Sequence, residues 1–497
     1  MEPQFIPSRA EFRELAQRGN VVPVYTDWVA DSETPVSAFS KLDRGGYSFL
    51  FESTEKNDVS GRFSFVGTDP EIVIRSRNDE ITITETDKTR NSRSSSDPLV
   101  ELRQLMAKYR FVKRPELPRF VGGAVGFLGY DAARFFEPTV AVAEHDDLSL
   151  PEMLFVIAGA VVVFDHRLRT VRVLNNAFLN AGDDPDKVYD RVQQRICEIL
   201  GRLKAPTNMP PLPVDCPRTP LVPQSSINRD EFEQLVRQTK DYINRGDIFQ
   251  LVLSRRFEVD FDKDALALYR CLRFVNPSPY MFCLNFAGEF SLVGSSPEMH
   301  VRVVDGLVEI RPIAGTRRRG RTPDEDERNA ADLLADAKER AEHVMLLDLA
   351  RNDLGRIAEF GSVRVTEQMG IERYSHVMHI VSHVVARLRT DQDAYDVLRA
   401  TFPAGTVSGA PKVRAMQLIS DLEKRKRGCY AGAVGYFGFD GNLDSCIALR
   451  SVVLKNGRAY IQAGAGIVAD SVPAAEYDET ENKAAAMMQA LNMARAS

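Results

Sequence analysis

The chain has 497 residues, 44% of them hydrophobic and 27% charged, with a net charge of −6. This is ordinary globular composition and excludes a disordered or collagen-like chain. A mildly acidic chain also lacks the basic footprint of a general nucleic-acid binder.

The length predicts about three domain-sized units, or fewer large ones. The longest apolar run, residues 153–164, has twelve residues. A bilayer span needs about 20, so the run reads as a buried strand or core helix, and no membrane association is expected. The opening Met1-Glu2-Pro3-Gln4 lacks the basic then apolar layout of a secretory signal. Cys197, Cys216, Cys271, Cys283, Cys429 and Cys446 form no CxxC pair. That pattern fits a reduced, cytoplasmic chain without a disulfide framework.

Helices are predicted over 8–17, 98–108 and 186–204, among strands that begin at residues 47, 62, 71, 80, 153 and 170. Residues 84–97 are polar and Ser/Arg-rich and read as a mobile loop. Residues 204–223 hold seven prolines, which fix φ and remove backbone donors. We read 206–223 as a linker between an N-terminal strand-rich region, 1–205, and a C-terminal region, 224–497. In the latter, helices are predicted over 229–246, 263–276, 324–358, 394–400, 411–427 and 479–495. Its strands come in pairs joined by short turns, at Asp305-Gly306, Asp440-Gly441-Asn442 and Asn456-Gly457. Short turns join antiparallel neighbours. The expected class is α+β, with large antiparallel sheets forming a sandwich-like core and helices packed outside.

Five stretches carry chemistry. Asp478 and Glu481 fit a capping box for the last helix, which leaves Glu479 free to ligate Mg²⁺, a cation that prefers oxygen. Glu342 lies in a long helix, and Asp348 in its apolar part predicts a buried group paired with Arg351. Gly464-Ala465-Gly466 follows a strand and matches GxGxxA, but Pro473 disfavours a dinucleotide fold. A glycine turn with free amides for a carboxylate is preferred. His376, His379 and His383 resemble a metal cluster in one letter code. A strand is the better reading, with His379 and His383 on one face and His376 on the other. Residues 401–414 form a Gly/Ser/Pro loop with Lys412 and Arg414, a plausible anion site.

Taken together, these stretches resemble the chorismate-utilising enzymes, most closely the anthranilate synthase component I family. The resemblance is carried by DIFQLVLSRRF (247–257), NPSPYMF (276–282), GSSPE (294–298), RPIAGT (311–316), AEHVMLLDLARNDLGRIA (341–358), TFPAGTVSGAPK (401–412), YAGAVGYF (430–437), IALRS (447–451), QAGAG (462–466) and DETENKA (478–484). The N-terminal third resembles it less, through FES (51–53) and GRFSFVG (61–67).

The resemblance implies that Glu342 and Glu479 hold Mg²⁺ against the ring carboxylate of chorismate. It places Gly315, Thr316, Lys412, Tyr430, Arg450, Gly464, Ala465 and Gly466 at substrate. Arg450 would grip the enolpyruvyl carboxylate. Glu298 would help the ring C4 hydroxyl leave, and His379 would assist pyruvate elimination. Relatives that add water carry lysine where this chain has Gln250. Those that stop at 4-amino-4-deoxychorismate carry lysine where it has Ala314. Both positions imply attack by ammonia at ring C2, through 2-amino-2-deoxyisochorismate, to anthranilate. No cysteine lies in a glutaminase elbow, so ammonia would come from glutamine through a separate amidotransferase subunit. L-Tryptophan would inhibit at Ser53 and Pro279-Tyr280-Met281, with Phe51 where leucine is commoner. The competing readings are an aminodeoxychorismate synthase component I, an inert binding subunit and a nucleotide-dependent oxidoreductase.

Overall fold

The apolar run 153–164 forms two strands rather than one element. In the computed structural model, which describes residues 3–29, 31–53, 61–85, 88–93, 97–212, 220–374 and 377–496, Met153–Ala158 and Ala160–Asp165 lie in different sheets. Every residue of both strands is buried. Each strand is covered on both faces, so the alternation that marks a half-exposed strand is absent.

Among the described residues there are two 12-stranded sheets, and their paired strands run antiparallel. The first runs from Val21–Val29 through Tyr47–Glu52, Tyr280–Phe286 and Ser451–Lys455 to Arg458–Ile467 and Gln250–Asp260. The second runs from Ile313–Arg318 and Val377–Arg387 through Met299–Val304, Leu443–Ile447 and Ala433–Gly438 to Gly123–Leu128 and Ile72–Arg77. Strands from both sides of the proline-rich stretch meet inside each sheet. Met281 pairs with Glu52 in the first, and Gly435 with Gly126 in the second. At that second seam a Cβ on Gly126 would lie 1.9 Å from the Leu154 carbonyl oxygen, and one on Gly435 would lie 2.1 Å from that of Asp444. Only glycine permits this approach.

The two sheets face each other across an aromatic layer that includes Phe49, Phe120, Phe127, Phe282, Phe286 and Tyr436. Phe120 and Tyr436 have ring centroids 4.3 Å apart. Helices cover the outer faces. Pro185–Leu203 buries Val188, Val192, Ile196, Ile199 and Leu203, an i, i+3, i+4 stripe, against Thr170–Phe178. Pro473–Arg495 packs on Ala265–Val275 and on Arg458–Ile467. The α+β sandwich expected from the sequence is the architecture found.

Several local expectations need correction. Of the loop read over 84–97, Lys88–Arg93 is a strand paired with Glu80–Glu85. The helix read over 324–358 is two, Pro323–Ala335 and Ala337–Gly355. Asp336 breaks it, and its carboxylate accepts from the Lys338 and Glu339 amides at 2.9 and 3.2 Å. The last helix begins at Pro473, an N1 position that proline suits. Asp478 and Glu481 are therefore inside the helix and form no capping box; they pair with Arg229 and Arg255 instead. Asp348 does pair with Arg351, at 2.9 Å, but on the surface, with 57% of its side chain exposed.

Phe120 is fully buried between the sheets and packs on Phe49, Phe65 and Tyr436. Phe120→Ala is expected to cost about 3–5 kcal/mol of unfolding free energy. Equilibrium urea denaturation would show it, and a loss under about 1 kcal/mol would mean that this layer does not hold the sandwich.

Candidate active site

The site is organised by the end of one strand. Arg458–Ile467 pairs with Gln250–Asp260 along its whole length. Its other neighbour, Ser451–Lys455, pairs only as far as Ile461, opposite Val452. Residues 462–467 thus keep one edge free of strand partners. The expected glycine turn is this half-open strand, and it still offers backbone groups. Lys483 Nζ donates to the Gly464 carbonyl at 3.0 Å. A Cβ on Gly464 would sit 2.9 Å from Tyr430 Oη, and one on Gly466 2.7 Å from Gln250 Nε2. Glycine at both positions lets these side chains close on the backbone. Ala465 is buried in the core.

Carboxylates gather at one end. Glu342, on Ala337–Gly355, accepts from Gln250 Nε2 at 3.2 Å. Burial raises its pKa, and Glu339 and Glu479 push it further, while Gln250 and Lys483 oppose. Glu479 and Lys483, one turn apart on Pro473–Arg495, pair at 2.6 Å. A buried carboxylate crowded by like charges is costly unless a cation neutralises it. Glu342 and Glu479 therefore suit a hard divalent ion that keeps most of its waters. Among the described residues no group of three or more His, Cys, Asp or Glu is arranged for a metal. The Gln250 Oε1 atom is buried and has no partner.

A cation and two proton-transfer groups gather at the other end. Arg450 has a left-handed backbone, φ 46°, and its carbonyl accepts from the Ser295 amide at 3.1 Å. Such a conformation in a non-glycine residue marks a constrained position. Its guanidinium makes no hydrogen bond or ion pair with another described residue, and burial lowers its pKa against the pull of Glu298. Burial pushes the Glu298 carboxyl up to about 7, with Thr406, Lys483 and Arg450 holding it down. The Thr406 hydroxyl is buried and faces the Glu298 carboxyl without a well-aligned hydrogen bond to it. His379 lies on Val377–Arg387, as a strand reading requires. Its Nδ1 is 2.8 Å from the Gly315 carbonyl, so that nitrogen carries the proton and Nε2 is left basic. Thr316 Oγ1 lies 3.1 Å from the same nitrogen. Burial lowers the histidine pKa, which keeps the ring neutral. His383 shares its strand face but turns to Thr366 Oγ1 at 3.0 Å. His376 is outside the described residues.

The arrangement is a half-buried cation with no ion pair among the described residues, a carboxyl poised near neutrality, a neutral histidine and a pair of carboxylates bridged to them by Lys483. It can hold a small dianion and exchange protons with it. A family model described as chorismate binding enzyme matches residues 46–489. The chain is 44% identical over 492 residues to anthranilate synthase component 1 of Acetivibrio thermocellus, covering 99% of both chains. With the same protein of Aquifex aeolicus it is 46% identical over 495 residues, covering 99% and 98%. The chain belongs to the anthranilate synthase component I family of chorismate-binding enzymes. A solved structure of anthranilate synthase component I from Streptococcus pneumoniae superposes with a TM-score of 0.77 at 37% identity, over 93% of this chain and 99% of that one. The fold is shared with the menaquinone-specific isochorismate synthase of Escherichia coli, at 19% identity and a TM-score of 0.72.

Sequence reasoning for this component I chain missed Lys483 and Thr406. Lys483 lies in the DETENKA stretch, four residues past Glu479, and Thr406 lies in the TFPAGT stretch, so spacing and motif both held the signal. The Lys412 ammonium is held by Asp353 at 2.7 Å and the Thr401 carbonyl at 3.2 Å, and both partners line a cavity shared with Glu298 and Thr406. Tyr430 is buried, and its hydroxyl pKa is pushed up to about 12.

A second cavity, of about 80 Å³, lies between the sheets. Ser53, Pro279, Tyr280 and Met281 all line it, with Phe51, Arg302, Tyr436 and Asp444. Tyr280 Oη donates to Asp444 at 3.1 Å and accepts from Arg302 at 3.0 Å, and Arg302 also bonds Asp444 at 3.0 Å.

Glu298 holds its proton more tightly folded, near pH 7, than its ordinary value of 4.5. Between those values the folded state binds more protons than the unfolded one, so stability falls as pH rises through that window. In Glu298→Gln the fall should be shallower, by thermal melts from pH 4.5 to 8. An unchanged slope would show that Glu298 is not the raised group.

Proposed function

We propose that the chain is the large subunit of an anthranilate synthase, converting chorismate and ammonia to anthranilate and pyruvate. The observation that carries this reading is the Arg450 guanidinium close to Glu298 and His379, with Lys483 linking Glu298 to the Glu342–Glu479 pair. The family membership supports the same reaction, and Ala314 leaves no amine for covalent attack on the ring.

Chorismate is a dicarboxylate. Arg450 and the amides of residues 462–467 that face the open edge suit its enolpyruvyl carboxylate. Glu342 and Glu479 would hold Mg²⁺, which when bound supplies positive charge for the ring carboxylate. Glu298, protonated near neutral pH, donates to the C4 hydroxyl as it leaves as water. Gln250 presents a buried carbonyl oxygen that can accept an N–H from ammonia, and unlike lysine it cannot activate water. His379 Nε2 takes the C2 proton as pyruvate departs and the ring becomes aromatic. Gly315 fixes the tautomer that leaves Nε2 basic.

Five described cysteines are free, and four of them are buried. A buried thiol is a poor thiolate, which favours a separate glutaminase subunit as the ammonia source. The second cavity, aromatic with a charged wall, suits L-tryptophan as feedback inhibitor. By role, we assign 1–205 chiefly to regulation, 206–223 to a linker and 224–497 to catalysis. No described helix is long and apolar enough to cross a membrane, and we place the protein in the cytoplasm.

Incubating the chain with chorismate, Mg²⁺ and ammonium should generate anthranilate fluorescence, lost with EDTA and absent when glutamine replaces ammonium. Chorismate consumed without anthranilate would point to the aminodeoxychorismate product instead. Glu342→Gln and Glu479→Gln should each lower kcat/KM by about 10²-fold or more and raise the Mg²⁺ requirement. Wild-type behaviour of both would remove the metal assignment. Met281→Thr should weaken tryptophan inhibition by about tenfold without changing kcat. Unchanged inhibition would move the inhibitor to another site.

A further inference from the structure

Arg427 is buried to 1% side-chain exposure and reaches four acceptors. Its Nε and Nη2 donate to the two Glu423 oxygens at 2.9 and 2.6 Å. Nη1 donates to the Val407 carbonyl and Nη2 to that of Val252, both at 2.7 Å. The guanidinium also lies over the rings of Tyr130, at 4.5 Å, and Tyr430, at 5.7 Å. Glu423 ends the helix Lys412–Glu423, and Lys424 then turns the chain with φ 56°. Glu423 Oε1 accepts in addition from the Ser254 amide at 2.7 Å and hydroxyl at 2.9 Å.

Every arm of this pair ends beside a site residue. Val407 follows Thr406. Val252 is two residues from Gln250 on one strand, so the two side chains share a face. Ser254 lies opposite Gly464 in the sheet register. Tyr430 sets its hydroxyl over Gly464. The pair touches none of the atoms assigned to the reaction.

We propose that Arg427 and Glu423 act as one positioning unit for the reaction, locking the loop of Thr406, the strand of Gln250 and the ring of Tyr430 into a single geometry. The proposal rests on the chorismate reading above. Stability alone does not require this pair, because a buried ion pair can often be exchanged for apolar side chains of similar volume at no loss. Orientation does require it. A planar fork holds these four acceptors in fixed directions, whereas an ammonium has only three donors and no fixed plane.

The test compares Arg427→Lys with the double variant Arg427→Met/Glu423→Leu, measuring kcat and KM for chorismate with ammonium, together with Tm. We expect kcat about 10²-fold lower in both, the scale of a small misplacement of reacting groups. We also expect the double variant to melt within a few degrees of the wild type. A purely structural pair would instead let kcat recover with Tm. Wild-type kcat in either variant would overturn the proposal. So would loss of cooperative unfolding in both, since the pair would then be holding the fold. If the folded wild-type chain makes no anthranilate, the chorismate reading fails on that control alone, and chorismate affinity by calorimetry in the same variants still reports on positioning.

Discussion

The open edge of residues 462–467 is the constraint on which the rest of the site depends. A strand inside a 12-stranded sheet has both its hydrogen-bonding edges satisfied. Here one neighbour stops at Val452, and the chain beyond Ile461 keeps backbone groups that no strand uses. In a buried setting such groups need partners. Lys483 supplies one, from the third turn of the helix that starts at Pro473. Glycine at 464 and 466 then lets Tyr430 and Gln250 approach to distances that a methyl group would forbid.

Electrostatics follows from that geometry. The site combines a carboxylate-rich group around Glu342 with a half-buried Arg450 that has no ion pair among the described residues. Each is unfavourable by itself, since burial penalises the charged form of both groups. A ligand carrying two carboxylates, one of them shared with a divalent cation, relieves both at once. Glu298 and His379 draw their displaced pKa values from burial as well.

Much of this was legible in the sequence. Paired strands with short turns pointed to the antiparallel sheets, and the alternation over 377–385 placed His379 in a strand. What was not legible has physical causes. The run 153–164 hides a crossing from one sheet to the other, because full burial erases periodicity. The helix start at Pro473 was obscured by Asp478 and Glu481, whose capping-box spacing is equally the spacing of two surface ion-pair partners. Asp348 looked buried because its sequence neighbours are apolar, yet a helix turns successive residues outward. The partner of Lys412, Asp353, lies 59 residues away in the chain and could not be read from the local loop. Side-chain partnerships between distant segments are what a linear pattern cannot carry.

The second cavity lies on the same strands that deliver Glu298. Arg302 and Asp444 face each other in register on Met299–Val304 and Leu443–Ile447. The first of these strands begins at the residue after Glu298. The second ends at Ile447, whose amide donates to the Glu298 carbonyl at 3.1 Å. Tyr280 bridges Arg302 and Asp444, so the cavity wall is a closed hydrogen-bonded triad rather than three independent side chains. Packed strands transmit a shift in register more readily than they bend. By the reciprocity of linked equilibria, any coupling that a ligand in the cavity exerts on Glu298 is matched by an equal effect of an occupied active site on the cavity.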